Sequence, residues 1–240
     1  MKQTTIVLFC LSILSSVSSF AFQGDLDQGI YELNRGAFKA AINEFEPLVA
    51  QEYSPAQYQM AVMYLNGYGV KKDPKKAFEL FSLSSSQNYP DALFSLSLMY
   101  SEGEIVEKDL KTAFALMERA AIRNLVGAQF NLGVMYFNGA GTYKDYKKAA
   151  RWYETAAKQN YALAQFNLAL MYFEGLGVEK SIEMSYVWNI ISASNGYGEA
   201  GKSRDMDALK LSNLQISEAR EKADRLYKQF IEQEELKAKQ

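Results

Sequence analysis

Histidine is absent from the 240 residues and cysteine occurs once. Without an imidazole no Ser-His-Asp or Cys-His catalytic arrangement can be built. No zinc site with a histidine ligand is possible, and the side chain that ordinarily titrates in the physiological pH range is missing. Any chemistry would rest on carboxylates, Lys, Tyr or Ser alone. An excess of one charge is also lacking. The 26 Lys plus Arg against 28 Asp plus Glu leave a formal charge of −2, which argues against strong nucleic-acid binding, since that rests on neutralising phosphates. What is present, 48% apolar and 22% charged residues, is the composition of a globular chain and not of a disordered one.

Residues 1–22 read MKQTTIVLFCLSILSSVSSFAF. Lys2 supplies a positive start, Ile6 to Leu14 an apolar stretch broken only by Ser12, and Ser19 and Ala21 the small residues before a cleavage point. This pattern predicts an export signal spanning 1–21, cleaved after Ala21. A membrane span needs about 20 mostly apolar residues, and Ser12, Ser15, Ser16, Ser18 and Ser19 weaken that alternative. The only cysteine, Cys10, lies inside the apolar stretch behind Phe9 and lacks the context of a lipoprotein site. The expected mature chain, periplasmic or secreted, therefore has no disulfide and is held by side-chain burial alone.

Beyond the signal the chain repeats itself. Met-Tyr recurs at Met63-Tyr64, Met99-Tyr100, Met135-Tyr136 and Met171-Tyr172, each step being 36 residues. The same step joins Ala56, Ala92, Ala128, Ala164 and Ala200, and it joins Gly67, Gly103, Gly139 and Gly175. A second glycine follows at Gly69, Gly141 and Gly177, with Ile105 as the exception. Repetition at this period is the signature of a solenoid. In the third unit Ala128, Leu132, Gly133, Met135 and Tyr136 share one helical face. The glycine loop ends that helix, because glycine enters the left-handed region without Cβ strain. Asp73, Asp109 and Asp145, with Ser181 replacing the fourth, recur at the same step; the three aspartates stand at the N-cap of a second helix, which buries Ala77, Leu80, Phe81 and their equivalents. Asn88, Asn124 and Asn160 suit a left-handed turn to the next unit. Trp152 shares a column with Leu80, Leu116 and Trp188, which reads as core.

These units resemble the Sel1-like repeat family, which is similar to tetratricopeptide arrays. The unit with the fullest likeness runs Gly127-Ala128-Gln129-Phe130-Asn131-Leu132-Gly133-Val134-Met135-Tyr136 and continues through Gly139, Gly141, Asp145, Lys148-Ala149, Trp152 and Ala156-Ala157. The resemblance implies an all-α fold, a right-handed α/α solenoid of about five helix-loop-helix repeats. The expected organisation is an N-terminal tetratricopeptide-like pair over 22–54, four repeats over 55–200 (55–90, 91–126, 127–162, 163–198), and C-terminal capping helices with a charged tail over 199–240. Ser212-Asn213-Leu214-Gln215 is a capping-box pattern. Behind it Ile216, Ala219, Ala223, Leu226 and Phe230 make one apolar face of a final helix, and Glu232 to Gln240 reads as a tail reaching into solvent. Some exported members of the family carry a cysteine pair in each repeat; this chain has none.

Three places are candidates for function. On the first helix of each unit, one column reads Tyr58, Phe94, Phe130, Phe166 and the next Val62, Leu98, Val134, Leu170. A third reads Leu65, Ser101, Phe137, Phe173, and a fourth Asn66, Glu102, Asn138, Glu174. By analogy with tetratricopeptide arrays they line the concave face, as an apolar groove with a polar edge for a partner peptide or helix. The first two columns are expected to fill the core between helices, and Phe137 and Phe173 are the better partner contacts. The binding set is Leu65, Asn66, Leu98, Ser101, Glu102, Val134, Phe137, Asn138, Leu170, Phe173 and Glu174. The second candidate, Glu102, Glu104 and Glu174 as an acid–base pair, reads as solvated loop charge. The third, the final helix, reads as a cap, with dimerisation through it as the lesser alternative.

The family resemblance implies adaptor or regulatory work in envelope assembly, signalling or host contact. The chain is thus expected to be a non-catalytic, exported scaffold that binds a protein or peptide and uses no metal or cofactor. It is expected to be a monomer that contacts neither nucleic acid nor, after signal cleavage, the membrane. The alternative is a protein that binds or hydrolyses cell-wall glycan.

Overall fold

A computed structural model describes residues 24–238. The predicted export signal and its cleavage after Ala21 lie outside the described residues. Twelve helices and no strand are formed among those described. A first pair, α1 (Leu26–Asn34) and α2 (Phe38–Ala50), precedes four pairs of near-equal length. These are α3 (Ser54–Asn66) with α4 (Pro74–Ser86), α5 (Pro90–Glu102) with α6 (Leu110–Ile122), α7 (Val126–Asn138) with α8 (Tyr146–Ala157), and α9 (Ala162–Glu174) with α10 (Ile182–Ser194). The shorter α11 (Gly198–Ala208) and the long α12 (Asn213–Ala238) close the array. From α1 to α11 each helix packs on the next in sequence, and α12 packs back on α10, so the fold is an α/α solenoid.

The recurring residues build this frame directly. The alanines at 56, 92, 128, 164 and 200 and the methionines at 63, 99, 135 and 171 are all buried. Small and slender side chains at these points let the two helices of a pair come together. The tyrosine after each methionine contributes its backbone: the carbonyls of Tyr64, Tyr100, Tyr136 and Tyr172 accept from the amides of Asp73, Asp109, Asp145 and Ser181, each at 2.9 Å. Those four residues then cap the second helix, their side chains accepting from backbone amides of its first turn. The loop is therefore tied at its end to the last turn of the helix it leaves, which fixes the angle between the two helices.

Glycine is required inside the loop for two separate reasons. Gly139 at φ 74° ends α7 in the left-handed region, and its amide and that of Ala140 both donate to Met135 O, at 2.8 and 2.9 Å. Gly141 at φ 72° faces the preceding pair, and a Cβ there would lie 1.9 Å from Leu110 O. The second glycine thus sets the spacing between repeats as well as the turn. Between pairs, Asn88, Asn124 and Asn160 adopt φ of 61°, 67° and 58°, the left-handed turn expected of them.

A polar column invisible to hydropathy also runs through the array. Gln57, Gln129 and Gln165 are buried, and each is held from the far end of its own pair. Gln87 donates to Gln57 Oε1 at 3.1 Å, Gln159 to Gln129 Oε1 at 2.6 Å, and Asn195 to Gln165 Oε1 at 3.0 Å. Buried amides are tolerated here because they are paired.

At the C-terminal end the capping box forms as expected: Ser212 N donates to Gln215 Oε1 at 3.0 Å and Gln215 N to Ser212 Oγ at 3.3 Å. Ala219, Ala223 and Phe230 are buried, with the Phe230 ring stacked on Trp188 at 6.0 Å. The final helix covers α10 as a cap. Toward the charged tail α12 continues as helix through Ala238, with Glu232, Glu235 and Leu236 exposed. Its Glu, Gln and Lys residues are good helix formers, so the helix persists beyond the last buried side chain.

Candidate functional site

The first helices of the pairs carry the candidate surface. Leu65 and Asn66 lie on α3; Leu98, Ser101 and Glu102 on α5; Val134, Phe137 and Asn138 on α7; Leu170, Phe173 and Glu174 on α9. None of the eleven is fully buried, and Asn66, Glu102, Asn138, Leu170 and Glu174 are exposed. A residue on a 13-residue helix between two neighbours escapes burial only if it points along the open side, so these columns share one accessible face.

The column Tyr58, Phe94, Phe130, Phe166 lies at the edge of the core, with Tyr58, Phe94 and Phe130 packed against it. All four are half-buried. Three of them meet the aromatic residue that opens the next pair: Tyr58 with Tyr89 at 5.5 Å, Phe130 with Tyr161 at 5.2 Å and Phe166 with Tyr197 at 4.9 Å. Tyr53, Tyr89, Leu125, Tyr161 and Tyr197 follow the 36-residue step, which is the sequence signal for this ladder. Such tilted pairs contribute about 0.5–1.5 kcal/mol each beyond area burial and tie successive repeats together beside the open face. Val62, Leu98 and Val134 of the second column are likewise half-buried, and Leu170 is 41% exposed. Trp152 is half-buried, while Trp188 in the same column is buried.

The face is not uniform. Five of the eleven residues, Val134, Phe137, Asn138, Leu170 and Glu174, surround an open hollow of about 420 Å³ between α7 and α9. Its floor is Tyr153 of α8, whose ring packs against Phe130 at 5.7 Å. Gly133 permits this, since a Cβ there would stand 2.7 Å from the Tyr153 ring. Burial pushes the Tyr153 hydroxyl up to about 12, partly offset by Asn167 beside it, so the floor stays neutral. Phe137 holds its wall, edge-on to Tyr146 at 5.1 Å. A second hollow of about 150 Å³ adjoins it, sharing Leu170 and Glu174 and adding Phe173, Ser185, Asn189, Ser203, Met206 and Asp207. Leu65, Asn66, Leu98, Ser101 and Glu102 line neither. Asn66 instead turns back on its helix, donating to Val62 O at 2.8 Å.

Sequence reasoning missed Tyr153 and Asp207. Tyr153 stands beside the Trp152 column, and its signal is the glycine at 133 in a column where neighbouring units carry Ser97 and Ala169. Asp207 lies where the repeat has already diverged, and nothing in its sequence neighbourhood marks it as buried. The carboxylates Glu102, Glu104 and Glu174 are all exposed. Among the described residues no group of acidic or cysteine side chains is placed to hold a metal ion, and no helix is long and apolar enough to cross a membrane.

The geometry defines a class: an all-α solenoid that presents one grooved helical face. The chain belongs to the Sel1 repeat family, whose model matches residues 54–89, 90–125, 126–161 and 162–197. It is similar to the crystal structure of a Sel1 repeat protein from Oxalobacter formigenes, with 29% identity, a TM-score of 0.72 and 84% of each chain covered. It is also similar to c5321, described as a protective antigen present in uropathogenic Escherichia coli strains, with 28% identity and a TM-score of 0.73 over 86% of this chain and 44% of that one. No curated protein matches the chain. Sel1 repeat proteins typically act as protein-interaction scaffolds, and the family is generally non-catalytic.

Proposed function

We propose that this chain is a non-catalytic, exported scaffold that binds a protein or peptide through the open face of α7 and α9. The observation that carries the reading is the 420 Å³ hollow between those helices, with exposed Leu170 on its rim and Phe137 on its wall. Exposed apolar surface around a preformed concavity is costly to keep unless it is covered in use. A rigid helical frame binds with little ordering cost. Export rests on the sequence of residues 1–21 and is tested by N-terminal sequencing of the protein from its own cells: a mature start at Phe22 supports it, and an intact Met1 contradicts it.

The binding surface is tested with the protein as bait in crosslinking capture, beside a Phe137→Ala/Phe173→Ala variant that melts cooperatively. A partner held by the first and lost from the second supports the reading. Equal capture by both moves the contact off this face, with α12 the next surface to test.

A further inference from the structure

The smaller hollow between α9, α10 and α11 has an unusual floor. Asp207 is only 2% exposed and Asn189 only 1%. One carboxylate oxygen, Oδ2, accepts from Ser185 Oγ at 2.7 Å and from Asn189 Nδ2 at 2.9 Å. Asn189 spends its amide donor here, and its carbonyl oxygen, Oδ1, is buried with no hydrogen-bond partner in the protein. None of the ion pairs among the described residues includes Asp207. A buried carboxylate outside any ion pair, next to an orphaned carbonyl, is unfavourable for the free protein, and Lys210 acts on the carboxylate without pairing with it. Both groups accept hydrogen bonds, so the hollow is open to a further donor, and the carboxylate favours one with positive charge.

The walls match a particular shape of donor. Leu170, 41% exposed, and Met206, 62% exposed, stand at the rim. Exposed Glu174 adds a second carboxylate there. An apolar rim above an acceptor floor fits a side chain with a methylene stem and a cationic head. A volume of about 150 Å³ admits a single side chain and is below the roughly 300 Å³ at which small-molecule pockets begin. The aromatic wall already takes a cation from this chain, since Lys210 Nζ lies 3.9 Å from the Phe173 ring centroid. Leu170 and Glu174 belong to both hollows, so a segment filling one runs into the other.

We propose that the hollow over Asp207 is an anchor subsite for an arginine or lysine side chain of an extended partner segment whose apolar residues fill the hollow between α7 and α9. The inference rests on the protein-binding reading and narrows the partner to a segment with a basic residue beside aliphatic or aromatic ones. The cationic head donates to Asp207 and to Asn189 Oδ1, while its stem lies on Leu170 and Met206. Glu174 at the rim favours the approach of positive charge and disfavours acidic segments.

The experiment is selection of a random displayed-peptide library on the whole protein, followed by titration calorimetry of the leading peptide against wild type, Asp207→Asn and Glu174→Gln. The wild type is expected to enrich a basic residue at one fixed position relative to apolar ones. Asp207→Asn is expected to weaken that peptide at least about ten-fold, as removal of one partner of a desolvated pair does. The same peptide with its basic residue changed to Gln should lose no further affinity on Asp207→Asn. Glu174→Gln alters an exposed residue, so it keeps the test valid if Asp207→Asn fails to fold; it should weaken the basic peptide several-fold and leave the Gln peptide unchanged. Apolar peptides without a basic preference, or equal affinity for wild type and both variants, overturn this subsite while the protein-binding reading stands. No enrichment by the wild type on a surface that stays folded overturns both.

Discussion

The repeats at 90–125 and 126–161 are built on the same frame and differ both inside it and on its open face. Both have two helices joined by a loop that opens with a left-handed glycine, Gly103 or Gly139, and both cap the second helix with aspartate. Yet the first has Ile105 where the second has Gly141, Leu93 where it has buried Gln129, and Ser101 where it has Phe137. Each change has a local counterpart. Gly139 and Ala140 both donate to Met135 O, whereas in the 90–125 unit the Met99 carbonyl accepts from Gly103. The unit with Leu93 carries Arg123 at the repeat position of Gln159. The frame is thus satisfied in more than one way. Surface columns, free of that duty, change most: Phe137 walls a hollow, and Ser101 lines neither of the two.

The sharpest break of this comparison is at the second glycine. Gly141→Ala places a Cβ 1.9 Å from Leu110 O at a φ of 72°. It is expected to cost about 3 kcal/mol or more, from left-handed strain and backbone collision together. The matched Ile105→Gly loses a half-buried side chain packed on the core and should cost about 1–2 kcal/mol. Denaturant melts of the two variants check the asymmetry, and equal losses would mean that the two loops make the same inter-repeat contact.

Next comes the polar column. Gln129→Leu gives the 126–161 unit the residue of its neighbour, but it removes the 2.6 Å acceptor of Gln159, which keeps Asn124 Oδ1 at 3.1 Å, and the side-chain donor to Ala121 O, which keeps the Asn124 amide at 3.0 Å. The expected loss is about 0.5–1.5 kcal/mol, measured in the same melts. A neutral result would show that the buried amides contribute only to alignment.

How much of this was legible beforehand follows the same division. The frame was readable because its residues answer to one rule repeated in register: buried Ala and Met, left-handed Gly and Asn, capping Asp. The capping box at Ser212 was readable for the same reason. The site was readable only as columns. Periodicity places Val134, Phe137 and Leu170 on one face, but it does not say that a hollow opens between α7 and α9. That depends on Gly133 admitting the Tyr153 ring, a contact between different helices. The depth of the aromatic column is not legible, because apolar type alone does not separate a core residue from one at the edge of a groove. Asp207 was out of reach because the repeat has already lapsed at α11, and a carboxylate reads as surface until its neighbours are known.

A smaller effect tests that buried carboxylate. Burial, above all, raises the Asp207 pKa over its ordinary value; the hydrogen bonds from Ser185 and Asn189 and the charge of Lys210 pull it the other way. A raised carboxyl pKa means that the folded chain favours the protonated form. That contribution to stability is complete below the unfolded-chain value of about 3.9 and is lost as pH rises through the folded one. Asp207→Asn removes the titration, so its stability relative to wild type should improve as pH rises from about 3.9 through the folded pKa and stay constant above it. A difference that does not vary with pH would contradict the uncompensated burial.

The smallest expected effect on stability is at the rim. Leu170→Ser should change stability by no more than about 0.5 kcal/mol, as exposed substitutions usually do, and still remove partner binding. Loss of both together would recast Leu170 as a framework residue.

The central claim, that the face of α7 and α9 is the contact surface, is tested most directly by placing a photo-crosslinking amino acid at either of two exposed leucines. Leu170 lies on α9 at the hollow, and Leu83, 52% exposed, lies on the second helix of its pair, α4. With the partner captured in the protein's own cells, adducts from position 170 and none from position 83 are the predicted result. Adducts from position 83 alone would contradict the account.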